Sequence, residues 1–337
     1  MRTALALCLV LFVTACAAAG GPAAPMTFTT RAASALSHSL AGPAQSVYWA
    51  LFAPQPEPQL EIAREPLKKS SQVHVIGGNA SNMLQEASSI RFHQNLAWVL
   101  TQPNGPSASS VLLIFQLPIT TSSTPLYYDT LSGALVGVHI EFDGIGNLWV
   151  SAETNDSVYE YSGDFFQEGG NITPSLTLTA GLNGPQGLAF DPNGNLYVAN
   201  SGTNDIAVFA QPISNQQPYF LDGVKNPGGI GFDSHGNLFA ASNNGSAGGA
   251  TVKYASTHLR SGDKPTVIDP TGIAANPYGS DLAFDKAGNL YDGDCGNKAG
   301  IYSYPLATQK FTAHLAPSFY TNKGISKVGC VWGLAVR

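Results

Sequence analysis

Apolar residues along this chain fall in runs of four to six, or alternate with polar ones, and turn-forming residues interrupt them. Short runs of this kind predict β-strands. The pattern also repeats. Phe142-Asp143-Gly144-Ile145-Gly146-Asn147-Leu148-Trp149-Val150 returns as Phe190-Asp191-Pro192-Asn193-Gly194-Asn195-Leu196-Tyr197-Val198. It returns again as Phe232-Asp233-Ser234-His235-Gly236-Asn237-Leu238-Phe239-Ala240 and as Phe284-Asp285-Lys286-Ala287-Gly288-Asn289-Leu290-Tyr291. Each copy predicts a β-hairpin whose turn carries Gly for positive φ and Asp and Asn for bonds to the turn backbone. A third strand follows, such as Asp205 to Phe209, and a weaker fourth, such as Pro218 to Leu221. Four antiparallel strands per repeat make one blade of a β-propeller.

The Phe that ends each first strand gives the blade count. It stands at Phe92 in a degraded early copy, then at Phe142, Phe190, Phe232 and Phe284, with Val336 in its place at the end, 42 to 52 residues apart. The expected fold is therefore all-β: a six-bladed β-propeller closed by strands from both chain ends. Val331 to Val336 supplies the first strand of the sixth blade. Ser46 to Pro54 reads as its third strand and Gln59 to Ala63 as its fourth. Its second strand is either absent or drawn from Met26 to Thr30.

Composition fits this picture. Only 11% of residues are charged, and 36 Gly and 22 Pro serve many turns. A net charge of −6 with no basic cluster argues against nucleic acid as a partner. Arg2, the apolar run Ala4 to Val13 and Val13-Thr14-Ala15-Cys16 read as a bacterial lipoprotein signal, with lipid on Cys16. The competing reading is an ordinary signal peptide cut near Ala17 to Ala19. The expected domains are a signal peptide at 1–15, a flexible tether at 16–42 and the propeller at 43–337. That places a monomer at the bacterial cell envelope, held to the membrane by the N-terminal lipid alone, with secretion as the alternative. Cys295 and Cys330 lie at the inner ends of adjacent blades and are expected to form a disulfide in an oxidising compartment; two free thiols are the alternative.

The phrase Gly184-Pro185-Gln186-Gly187-Leu188-Ala189-Phe190-Asp191-Pro192-Asn193-Gly194-Asn195-Leu196-Tyr197-Val198-Ala199-Asn200 resembles the NHL-repeat group of six-bladed propellers, clearly over residues 134 to 304. That resemblance specifies fold and not function. The calcium-dependent gluconolactonase-type relatives hold a metal in the funnel through Glu, Asn and Asp. The Asn-Gly of that family is replaced here by Gln186-Gly187, Gly228-Gly229, Ser280-Asp281 and Trp332-Gly333. Streptogramin lyases carry Pro-His-Gly where this chain has Pro185-Gln186-Gly187. The peptide-amidating lyase needs several His at a zinc site, and here only His139 falls at a funnel-facing repeat position.

Repeat alignment puts Ser89, His139, Gly187, Gly229, Asp281 and Gly333 at the start of the first strands, around the funnel. The expected ligand contacts are His139, Gln186, Asn200, Asp281, Asp294 and Trp332. Trp332 offers a flat face for a ring, and Asp281 and Asp294 are the first places to look for a cation such as Ca²⁺. A water-filled channel whose side chains merely cap strands is the plainer account. Arg91 and Glu141 share a repeat position in neighbouring blades, where the other copies have Ala189, Gly231, Ala283 and Ala335. An inter-blade ion pair is expected there, because an unpaired buried charge is costly; a catalytic acid beside a positioning Arg is the alternative. The repeated Asp143, Asp191, Asp233 and Asp285 are spread one per blade and form no metal cluster. The function expected is a non-catalytic propeller that binds a partner protein, glycan or small ligand through its funnel, with no cofactor. The alternative is a divergent metal-dependent lactonase, hydrolase or lyase.

Overall fold

Six four-stranded antiparallel units are arranged around one axis in the computed structural model, and one of them carries a fifth strand. The structure describes residues 46–52, 58–64, 73–77, 84–102, 109–163, 170–242, 249–269, 281–294, 300–313, 315, 319–321 and 330–337. Cys16, Cys295 and the signal and tether segments lie outside them. The innermost strands are Ser89–His93 of blade I, Gly137–Phe142 of II, Pro185–Phe190 of III, Ile230–Phe232 of IV, Leu282–Phe284 of V and Cys330–Val336 of VI. Each neighbours the next around a closed ring.

Closure follows the expected principle with a corrected strand order. Cys330–Val336 pairs antiparallel with Ser46–Phe52, through Val47–Val336 and Trp49–Leu334. Ser46–Phe52 is therefore the second strand of blade VI and not the third. Pro58–Arg64 is the third, and Val73–Gly77 the fourth. The second strand needs no contribution from Met26 to Thr30. One element had no sequence signal: Gly170–Ile172, from the far end of blade II, adds in parallel to the outer strand Tyr127–Leu135 of blade I. It covers an edge that would otherwise offer unpaired backbone groups.

The repeat encodes two recurring devices. The first is the hairpin turn. Asp191 Oδ1 accepts the N–H groups of Asn193 and Asn195, each at 2.9 Å, and Oδ2 accepts the Asn195 amide at 2.8 Å. Asn195 Oδ1 in turn accepts the Gln211 N–H at 3.0 Å, tying the first hairpin to the end of the third strand. The same Asn bond recurs from Ser256 to Asn237 and from Leu306 to Asn289. Gly146, Gly194, Gly236 and Gly288 take φ of 95°, 81°, 74° and 85°, which residues with a Cβ rarely adopt.

The second device is the seam between blades. Each inner-strand Phe packs edge-on against an aromatic ring of the preceding blade. The pairs are Tyr48–Phe92, Trp98–Phe142, Trp149–Phe190, Tyr197–Phe232 and Phe239–Phe284, at centroid distances of 4.9 to 5.8 Å. In the sixth seam Val336 takes the Phe place beside the buried Tyr291. Among the described residues the apolar core is accordingly divided into six clusters, one per seam.

The turn device yields a stability prediction. Asp191→Ala leaves two turn N–H groups and the Asn195 amide without their acceptor. It should lower unfolding free energy by about 1–3 kcal/mol, read as a fall in the urea midpoint with unchanged slope. No change in midpoint would show that the turn contributes nothing.

Candidate functional site

The small residues Ala189, Gly231, Ala283 and Ala335 leave the axis of the ring open on one side, while blades I and II fill the other with Arg91 and Glu141. Arg91 Nε lies 2.9 Å from Glu141 Oε2, so the expected inter-blade pair forms. Arg91 also reaches further. Its Nη1 lies 2.8 Å from Asp281 Oδ2 and its Nη2 3.3 Å from Oδ1, a bidentate pair between blades I and V. Nη1 also donates to the carbonyls of Ile90 and Leu334, at 2.9 and 3.0 Å.

Asp281 is fully buried, and five donors converge on it. Besides the two Arg91 nitrogens, His139 Nε2 lies 2.7 Å from Oδ1. The Leu282 N–H donates to Oδ1 and the Leu334 N–H to Oδ2, each at 2.8 Å. Arg91 Nη2 stands 3.4 Å from His139 Nδ1 and 3.2 Å from Nε2. Near-equal distances place it against the ring rather than in line with one lone pair. Burial alone would raise the Asp281 pKa, but Arg91 and then His139 outweigh it and hold the carboxyl well below the usual range. Burial would likewise lower the Arg91 pKa, and Asp281 and Glu141 instead hold it above its ordinary value.

At the strand-start end, glycines let the inner strands approach closely. A Cβ on Gly187 would stand 2.7 Å from the Gly228 carbonyl oxygen, and one on Gly333 would stand 2.6 Å from Ser89 Cα. The Gly187 N–H donates to Gly228 across the seam at 3.2 Å. Among the described residues, a cavity of about 400 Å³ lies at the other end of the channel, toward the hairpin turns. Phe92, Phe142, Phe190, Phe232 and Phe284 border it.

Comparison with known proteins agrees with this architecture. A family model for the NHL repeat matches residues 182–209, within blade III. The chain is a six-bladed propeller carrying an NHL repeat. No curated protein sequence matches. Among solved structures, a candidate 6-phosphogluconolactonase from Bacteroides fragilis is similar with TM-score 0.56 and 12% identity, over 84% of this chain and 83% of that one. A chain of a nidogen/laminin complex is similar with TM-score 0.56 and 13% identity, over 87% and 98%. A Bacteroides caccae protein of unknown function is similar with TM-score 0.55 and 13% identity, over 87% and 99%. At these identities the likeness concerns the fold alone.

The propeller brings two of the six expected ligand contacts together, His139 and Asp281, and both are buried in the Arg91 network. Asn200 is buried elsewhere. Its Oδ1 accepts the Asn183 N–H at 2.6 Å, and its Nδ2 donates to Gly181, Thr203 and Asp205. Gln186 is buried on the inner strand of blade III, and among the described residues its Nε2 has no hydrogen-bond partner. Trp332 is half-buried on the inner strand of blade VI. Asp294 ends the strand Leu290–Asp294, and its side chain is outside the described structure. Sequence reasoning missed the partnership of Arg91 with Asp281. Its one signal was a charge at a position where four other blades keep Ala or Gly.

The sign of the pH dependence follows from Asp281. A carboxyl depressed on folding stabilises the protein above its unfolded pKa, about 3.9, and loses that contribution as pH falls toward the folded value. The urea midpoint should therefore drop steeply below pH 4. Asp281→Ala strands a buried guanidinium and should cost about 3–5 kcal/mol at pH 7. A midpoint indifferent to both changes would mean the network adds nothing to stability.

Proposed function

We propose that this NHL propeller is a non-catalytic binding module that takes a partner protein, glycan or small ligand in its central funnel and needs no cofactor. The observation that carries this reading is the state of Asp281. With Asp294 it was one of the two candidates for a cation, yet its two oxygens already receive Arg91, His139 and two backbone N–H groups. A catalytic cation needs carboxylate oxygens that can face the metal. Gln186 adds support. A buried amide with an unspent donor calls for an acceptor, and a ligand in the funnel is one source. In this reading Gln186 and Trp332 are the strand-start side chains left for ligand contact, because His139 is spent on Asp281. Lipid on Cys16 holds the monomer at the bacterial cell envelope.

The test pairs metal dependence with activity. Purified protein should show the same thermal midpoint in calcium as in chelator, and should open sugar lactones no faster than buffer does. A calcium-dependent rise in midpoint accompanied by lactone opening would replace this reading with a metal-dependent hydrolase.

A further inference from the structure

The cavity at the turn end of the channel has an asymmetric chemistry. At about 400 Å³ it is in the range that small organic ligands occupy. Ala283, Ala335 and Gly231 form an apolar wall, and Arg91 and Glu141 form a charged one. Arg91 has little left to offer a guest. Nε points at Glu141, Nη1 at Asp281 and two carbonyls, and Nη2 at Asp281 and His139. Asp281 is likewise saturated and fully buried.

Glu141 differs from both. Its side chain is 26% exposed, the largest exposure in the ion network's three charged groups. A carboxylate offers about four acceptor positions. Glu141 engages Arg91 Nε through Oε2 and the Phe142 N–H through Oε1, at 2.9 and 3.0 Å. The remaining acceptor capacity stands in a cavity where Arg91, the cationic side chain of its described lining, is already committed. Arg91 and Glu141 are the charged side chains that line it, and Asp281 lies buried behind them against Arg91 and His139. The complement of such a wall is a cationic N–H donor, and the complement of the wall opposite is an alkyl chain.

We infer that this cavity binds a primary alkylammonium group, with its N–H donors on Glu141 and its chain against Ala283 and Ala335. The inference rests on the binding reading above; it gives the ligand a chemical class and places it at the turn end of the channel, away from Gln186 and Trp332. The same chemistry is carried by a free alkylamine and by a lysine side chain of a peptide.

Amide chemical shifts of the full-length protein, titrated with hexylammonium chloride, with hexanol as a neutral control and with Nα-acetyl-lysine amide, test it. Hexylammonium or the lysine derivative should shift the Ala283 and Ala335 amides, and hexanol should bind at least about tenfold more weakly, as loss of a charge-assisted hydrogen bond requires. Tighter binding of the lysine derivative assigns the site to a peptide, and tighter binding of hexylammonium to a free amine. Glu141→Gln should weaken the ammonium by a similar factor. Because that variant also removes an Arg91 partner, Ala283→Leu serves as a second one: it fills the cavity, leaves the ion network in place, and should abolish binding. Equal affinity for hexanol, binding that survives Ala283→Leu, or no binding of either ammonium would each overturn the inference. None of these results bears on lactone hydrolysis, so failure here is separate from failure of the binding reading.

Discussion

A guanidinium on the axis of a β-propeller is an expensive object. Moved from water into a protein interior, such a charge costs several kcal/mol unless opposite charge and hydrogen bonds meet it. Arg91 is met from four blades: its own, blade II through Glu141 and His139, blade V through Asp281, and blade VI through the Leu334 carbonyl. The six-fold repeat provides no such group elsewhere at this position. Each inner strand otherwise turns a backbone edge toward the channel, and an edge without a partner is a weakness. At Leu334 the ion pair supplies that partner. Asp281 accepts its N–H while Arg91 donates to its C=O, as a neighbouring strand would. The strand so held is the one that closes the ring.

The rest of the architecture is repetitive and individually modest. Aromatic pairs contribute roughly 0.5–1.5 kcal/mol each beyond their buried area, and here they recur seam by seam. The Asp–Asn turn clamps work locally within a blade. Neither device distinguishes one blade from another. The Arg91 network does, because it joins non-adjacent blades I and V and leaves the opposite side lined with Ala and Gly. The same asymmetry that fixes the ring also creates a cavity with a charged wall and an apolar one.

Much of this was legible in the chain. Phe-Asp-x-x-Gly-Asn states the hairpin and its turn conformation together, so the blade count could be read directly. The Arg91–Glu141 pair was legible because both break the same repeat position. The Arg91–Asp281 pair was not. Alignment gives height along the channel axis, and it does not show how far a long side chain reaches across it. Blade VI was misread by one strand because Val73–Gly77 carries no turn phrase to mark it as the outer strand. The three residues of Gly170–Ile172 were too few to signal a strand at all. Asn200 looked like a funnel residue at the end of its strand, yet its amide is consumed by a loop whose conformation the sequence does not specify.

Hydrogen exchange at the Leu334 amide tests most directly whether the ion pair fastens the closing strand. In the wild-type protein this amide should exchange only through openings close in free energy to global unfolding, as core strands do. In Asp281→Asn, which keeps the shape and removes the charge, Leu334 should lose much more protection than Val198 in blade III. Equal loss at Leu334 and Val198 would show that the variant weakens the whole ring alike, and would contradict a role for Arg91 and Asp281 in holding that strand.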